Sequence, residues 1–185
     1  MKITESSLPG VYILEPRVFA DERGFFFESF RADRLAEAGI NADWVQDNHS
    51  RSQRGVLRGL HYQLHHPQAK LCRVVAGEVL DVAVDIRRHS PHFGQWVSVL
   101  LSAQNKRQVY VPRGFAHGFL VLSETAEFLY KCDEYYHPED ERGIAWDDPQ
   151  IAVDWQIPAG LELVLSAKDR QNPTLSAIGE DELPR

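Results

Sequence analysis

Short runs of alternating apolar and polar residues dominate the chain. Val79–Ile86 is the clearest: Leu80, Val82, Val84 and Ile86 fall on one face and Val79, Asp81, Ala83 and Asp85 on the other, the two-residue period of a β-strand. Leu71–Val75 precedes it, and Ala76-Gly77-Glu78 between the two runs reads as a hairpin turn. Further strands are predicted at Gly24–Phe30, Gln95–Leu101, Gln108–Val111, Gly118–Leu122, Glu127–Tyr130 and Gly143–Trp146. One helix is predicted, Arg31–Ala38, with Gly39 placed to end it. Short strands at a spacing of about ten residues, separated by turn residues, predict an all-β sandwich or barrel such as a jelly roll. A doubly wound α/β fold would need helices between the strands, and the pattern lacks them.

Length and composition narrow this further. The chain has 185 residues, which suits one domain with a sizeable core, and its prolines and glycines mark turns without suggesting a boundary. One domain over residues 1–185 is therefore expected, with a polar C-terminal tail over about 174–185. The formal net charge of −7 argues against a general nucleic-acid-binding surface, so positive charge for an anionic ligand must be local. No run of apolar residues is long enough for a membrane-spanning helix. The first residues lack a signal peptide's apolar stretch, and the two cysteines, Cys72 and Cys132, are too few for a disulfide framework. A reduced, cytoplasmic setting is the expectation, with both thiols acting as small buried hydrophobes.

No nucleotide-binding glycine loop and no hydrolase nucleophile elbow is present. Pro112-Arg113-Gly114-Phe115-Ala116-His117 has the form P-x-G-x-x-H and resembles the second motif of the cupin superfamily, a double-stranded β-helix or jelly-roll barrel. Where the first cupin motif usually supplies H-x-H and then a Glu, this chain reads His61-Tyr62-Gln63, and the first following Glu is Glu78. Two histidines make a poor transition-metal site, so no metal and no cofactor is expected. His65 and His66 flank Pro67 and read as solvated loop residues.

Several segments go beyond the superfamily: DERGFFFE at 21–28, QDNHS at 46–50, GVLRGLHYQ at 55–63, GEVLDVAVDIR at 77–87, SPHFGQW at 90–96, PRGFAHGF at 112–119, FLYK at 128–131 and SAKD at 166–169. In order and spacing they resemble the dTDP-4-dehydrorhamnose 3,5-epimerase family, from about residue 5 to residue 175. The resemblance implies a cupin-type jelly-roll barrel with a few short peripheral helices. It implies a cofactor-independent isomerase of dTDP-rhamnose biosynthesis, serving cell-surface polysaccharide, that converts dTDP-4-keto-6-deoxy-D-glucose to dTDP-4-keto-L-rhamnose.

That chemistry needs a base on one sugar face, an acid on the other and a positive group near an enolate oxygen. His61 is the candidate base, because an imidazole titrates near neutrality. By resemblance Asp169 is its dyad partner, Tyr130 the acid of the opposite face and Lys70 the enolate stabiliser. His117 is expected to line the sugar pocket. Arg58 and Arg23 are the diphosphate candidates, because guanidinium forks pair with phosphate oxygens, and Lys168 adds charge. Gln46, Asn48 and Gln63 are candidates for the sugar hydroxyls or the thymine, and Tyr136 for stacking on the base.

The Phe25-Phe26-Phe27 run breaks strict alternation, so one Phe must face away from its own core. The family implies a homodimer with exchange of the N-terminal segment (about 1–50), in which Arg23, Phe26 and Glu28 line the partner's site. Three other readings share parts of this pattern: a single-centre epimerase or 3,4-ketoisomerase, a metal-dependent cupin, and a non-catalytic sugar-binding barrel. The dTDP-sugar is the expected ligand, with neither nucleic acid nor membrane as a partner.

Overall fold

A computed structural model describes residues 1–185. Thirteen strands carry the fold: β1 Lys2–Glu5, β2 Tyr12–Glu15, β3 Val18–Asp21, β4 Gly24–Phe27, β5 Gln46–Gln53, β6 Leu57–Gln63, β7 Lys70–Ala76, β8 Glu78–Asp85, β9 Trp96–Ser102, β10 Gln108–Val111, β11 Phe115–Val121, β12 Thr125–Cys132 and β13 Glu141–Gly143. The one α-helix, α1, is Ala32–Glu37, and two 3-10 turns follow near the C-terminus. Two antiparallel sheets form, in the orders β1-β2-β10-β7-β12-β5 and β13-β6-β11-β8-β9. From β5 to β13 consecutive strands alternate between the sheets, except at β8–β9. This is the winding of a jelly roll, which the strand pattern allows and whose cupin type the family resemblance implies.

Burial explains why some strands announce themselves in the sequence and others do not. In β8 both faces are covered. Val79 and Ala83 join Cys72, Val74, Leu101, Phe119 and Phe128 in the core between the sheets. Val82, Val84 and Ile86 face outward beneath a second cluster that includes Ile144, Ile151, Trp155, Leu175 and Leu183. A third cluster, Leu14, Leu35, Ile40 and Leu71, seats α1 on the six-stranded sheet. β5, by contrast, reads QDNHSRSQ and carries no hydrophobic signal, yet pairs with β12 along its whole length.

Four expectations need correction. The strand predicted at Gly143–Trp146 ends at Gly143: Ile144 still exchanges hydrogen bonds with Leu60, but Asp148 then draws the chain into a turn by accepting the N–H groups of Gln150 and Ile151. The strand predicted at Gly24–Phe30 stops at Phe27, and beyond it the Ser29 carbonyl is held by Gln108. β1, β2, β3, β5 and β6 were not expected as strands. The segment from 174 is no loose tail: Leu175 and Leu183 are buried, the Glu182 carbonyl accepts from Tyr62 Oη, and the Pro184 carbonyl accepts from Arg88 N–H.

β6 and β11 set the geometry of the interior. His117 pairs with His61, but Phe119 pairs with Arg58, so β6 holds one extra residue in this stretch. The bulge coincides with a very close approach of the two backbones. A Cβ on Gly118 would sit 2.7 Å from the Arg58 carbonyl oxygen, and one on Gly59, at φ +128°, would sit 2.6 Å from the Gly118 Cα. Only glycine fits either position. Gly118→Ala is expected to destabilise the fold by about 1–3 kcal/mol, the usual cost of overpacking, read as a lower midpoint of urea unfolding. An unchanged midpoint would mean that β6 and β11 can part freely.

Candidate active site

Between the sheets, at one end of the barrel, lies a cavity of about 440 Å³. Its wall comes from the inward faces of β5, β6, β7, β11, β12 and β13 and from the loop at 166–169. Inward alternation selects Gln46, Asn48 and Ser50 on β5, Lys70 on β7 and Tyr130 on β12. That explains the polar sequence of β5: its inner face meets the cavity and its outer face meets solvent. Arg58 and His61 are three residues apart, so a regular strand would send them to opposite faces. The β6 bulge turns both inward.

Ten of the fourteen residues named from the sequence line this cavity: His61, Tyr130, Asp169, Lys70, Gln46, Asn48, Arg58, His117, Tyr136 and Lys168. The sequence reading therefore converges on one location. His61 Nε2 lies 2.5 Å from Asp169 Oδ1, while the other Asp169 oxygen accepts Ser166 Oγ at 2.7 Å. Asp169 is 4% exposed. Burial alone would raise its pKa, but the hydrogen bonds from His61 and Ser166, the His61 charge and the Gly59 N–H outweigh it, leaving the carboxyl below its ordinary range.

Across the same cavity, burial pushes the Tyr130 phenol well above its ordinary value of 10.0. Cys132, Cys72 and Glu141 add to the rise, and Arg58 opposes it. Tyr130 is therefore fully protonated at neutral pH. Lys70 Nζ stands 5.8 Å from the centre of its ring. Three cations, Arg58, Lys70 and Lys168, share the wall with two carboxylates, Glu141 and Asp169. The cavity thus departs locally from the acidic balance of the whole chain.

Several side chains at the rim are held in place by one another. Arg58 donates to Ser52 Oγ at 3.0 and 3.2 Å. Gln46 donates to Asn48 Oδ1 and accepts the Tyr136 N–H. Glu141 ties Tyr136 Oη, at 3.1 Å, to Lys168 Nζ. Burial works to raise the Glu141 pKa, but Lys168, His61 and Tyr136 together bring it below the ordinary value.

Gln63 needs a correction. It was expected to bond sugar or base, but its amide is spent on the main chain: Nε2 donates to the carbonyls of His66 and Tyr135, and Oε1 accepts the His137 N–H. It braces two loops at the rim. Arg23, Phe26 and Glu28 lie outside the cavity, on or just beyond the exposed β3–β4 hairpin, where Arg23 pairs with Asp21 at 2.5 Å. His117 lines the cavity as expected, but its Nε2 also meets both oxygens of Asp81, at 2.9 and 3.0 Å.

Sequence reasoning missed Asp81, Glu141 and Ser166. Asp81 left a trace, an acid between Val79 and Ala83 on the inward face of β8. Ser166 stands in the SAKD segment but was given no role of its own, and Glu141 left no trace, because only folding brings it to the cavity.

The family model for dTDP-4-dehydrorhamnose 3,5-epimerase matches residues 5–177. The chain is 59% identical over 172 residues to the dTDP-4-dehydrorhamnose 3,5-epimerase of Pseudomonas aeruginosa, covering 92% of this chain and 94% of that protein. It is 53% identical over 180 residues to the dTDP-4-dehydrorhamnose 3,5-epimerase of Escherichia coli, covering 96% of each. Among solved structures it is similar to a dTDP-6-deoxy-D-glucose-3,5-epimerase from Legionella pneumophila in complex with dTDP-4-keto-L-rhamnose. The TM-score is 0.96 and the identity 56%, over 100% of this chain and 97% of that chain.

The depressed pKa of Asp169 carries a stability consequence. The fold favours the ionised carboxylate, so its contribution is complete above the ordinary carboxylate pKa of about 3.9 and is lost as pH falls through the lowered value. Asp169→Asn is expected to lower the thermal midpoint at neutral pH, with the gap from the parent closing in acid. Melts followed by circular dichroism across that range check it.

Proposed function

The chain belongs to the dTDP-4-dehydrorhamnose 3,5-epimerase family, and from that membership we propose how its own residues turn dTDP-4-keto-6-deoxy-D-glucose into dTDP-4-keto-L-rhamnose. The C4 ketone acidifies the hydrogens on C3 and C5. Removing either gives an enolate, and returning a proton from the opposite face inverts the centre. The observation that carries the assignment is the His61–Asp169 pair at 2.5 Å, in one cavity with a buried, protonated Tyr130.

His61 takes the proton. Its Nε2 is engaged by Asp169, which leaves Nδ1 as the basic nitrogen. The buried carboxylate fixes the tautomer and stabilises the imidazolium that forms, the role of the acid in a serine-protease triad. Tyr130 donates to the carbon from the other side, and its raised pKa keeps the phenol in the donating form. Lys70 balances the negative charge that builds on the C4 oxygen. Binding follows the local cations: Arg58 retains donors beyond those given to Ser52 and joins Lys168 at the diphosphate. Gln46, Asn48 and Tyr136 form the end of the cavity suited to the nucleoside.

The β3–β4 hairpin completes the reading through a second copy of the chain. It forms its own two-stranded sheet, with Phe19, Phe25 and Phe26 exposed by 51%, 62% and 71%. So much clustered aromatic surface calls for a partner. In the proposed homodimer the N-terminal segment crosses to the neighbour, and Arg23, Phe26 and Glu28 reach that subunit's cavity. Phe25→Asp is expected to shift the protein to monomer in sedimentation equilibrium, and a dimer that survives the change removes the hairpin from the interface.

Two variants test the proton carriers. Tyr130→Phe is expected to keep solvent-deuterium exchange into the substrate while losing the inverted product, seen by NMR and by trapping with a reductase. Normal epimer formation would remove Tyr130 as the acid. Asp169→Asn is expected to slow turnover by about 10²–10⁴-fold, the range for a misoriented base. Near-normal turnover would contradict the dyad.

A further inference from the structure

Deep in the cavity wall, behind the proton-transfer residues, three strands bring together a group of side chains that the epimerisation does not explain. Cys72 on β7, Asp81 on β8 and His117 on β11 place a thiol, a carboxylate and an imidazole within 4.8 Å of one another. All three are at least nine-tenths buried, at 0%, 1% and 7% exposed. A single atom, His117 Nε2, faces the other two: it lies 2.9 and 3.0 Å from the Asp81 oxygens and 3.8 Å from Cys72 Sγ. We propose that these residues form a binding site for a thiophilic divalent cation of the zinc class, and that its occupancy inhibits the enzyme.

The donor set fits such an ion on three counts. Zinc-class ions take Cys, His and carboxylate ligands at about 2.0–2.3 Å, which puts neighbouring ligand atoms about 3.3–3.8 Å apart in a tetrahedron. The separations around His117 Nε2, 2.9–3.0 Å to Asp81 and 3.8 Å to Cys72, bracket that range, and all three ligand atoms lie within 4.8 Å of one another. A thiolate and a carboxylate together cancel the charge of a divalent ion, so the filled site is neutral where uncompensated charge is costly. The soft sulfur ligand also selects zinc, cadmium or cobalt over magnesium and calcium. His117 lines the cavity beside His61 and Tyr130, so an ion that holds its Nε2 fixes the ring in the wall of the space that the sugar needs.

The proton balance is explicit. Cys72 enters as a thiol, Asp81 as a carboxylate and His117 as an imidazole whose Nε2 faces Asp81. Binding forms bonds from the ion to Cys72 Sγ, an Asp81 oxygen and His117 Nε2. The thiol proton leaves to solvent, and the imidazole proton moves from Nε2 to Nδ1. One proton is released per ion.

Cobalt serves as the probe. Titrating the full-length protein with Co2+, in a thiol-free reductant, is expected to produce a near-ultraviolet thiolate-to-cobalt charge-transfer band together with visible bands of tetrahedral intensity. Zinc is expected to bleach both. Cys72→Ala is expected to lose the band while retaining parental turnover in chelator, and the Cys72→Ser variant, which conserves volume, guards against a packing defect. Zinc is expected to inhibit the parent reversibly and to inhibit Cys72→Ala far less. Absence of the charge-transfer band in the parent, or equal zinc sensitivity in parent and Cys72→Ala, overturns the proposal.

Discussion

A strand presents a given face only at every second residue, and that constraint governs the whole arrangement. Arg58 and His61 could not both enter the cavity from a regular β6. One extra residue between the pairings Phe119↔Arg58 and His117↔His61 resolves the conflict. It does so where Gly59 and Gly118 let the two backbones approach more closely than any side chain would allow. His61 then meets Asp169 from the loop at 166–169, and Arg58 reaches toward Ser52 and the cation cluster. The entry of both side chains into the cavity follows from a backbone irregularity that two glycines make possible.

The electrostatics build on that scaffold. The protein as a whole is acidic, but its cavity gathers Arg58, Lys70 and Lys168, the charges that a diphosphate and an enolate require. Two acids are buried against histidines, Asp169 with His61 and Asp81 with His117, and each carboxylate is satisfied by its partner. Tyr130 faces the same cavity from the other sheet and has its proton held by burial. The His61–Asp169 pair and a buried, protonated phenol thus share one cavity, the two kinds of group that a proton exchange requires.

Much of this was legible in the sequence. Alternation in Val79–Ile86 identified β8, and the family resemblance named His61, Tyr130 and Asp169 as members of one site. What escaped had physical reasons. β5 is polar on both faces because it lies between a wet cavity and solvent, so hydrophobic periodicity cannot find it. Gln63 carries the same donors whether it binds a ligand or braces a loop, and only its three main-chain partners decide. The C-terminal segment looks polar because few of its residues are apolar, yet Leu175 and Leu183 suffice to anchor it over the outer face of the sheet. Glu141 is joined to Tyr136 and Lys168 by folding alone.

The central claim is that a single base, His61, serves both carbons flanking the ketone. The most direct test follows the sugar's H3 and H5 signals by NMR in D2O with dTDP-4-keto-6-deoxy-D-glucose, for the parent and for His61→Asn. The account predicts that both protons exchange with the parent and that both exchanges are lost together in the variant, while dTDP still binds. Exchange that persists at either carbon in His61→Asn would contradict it, because a second base would then have to serve that carbon.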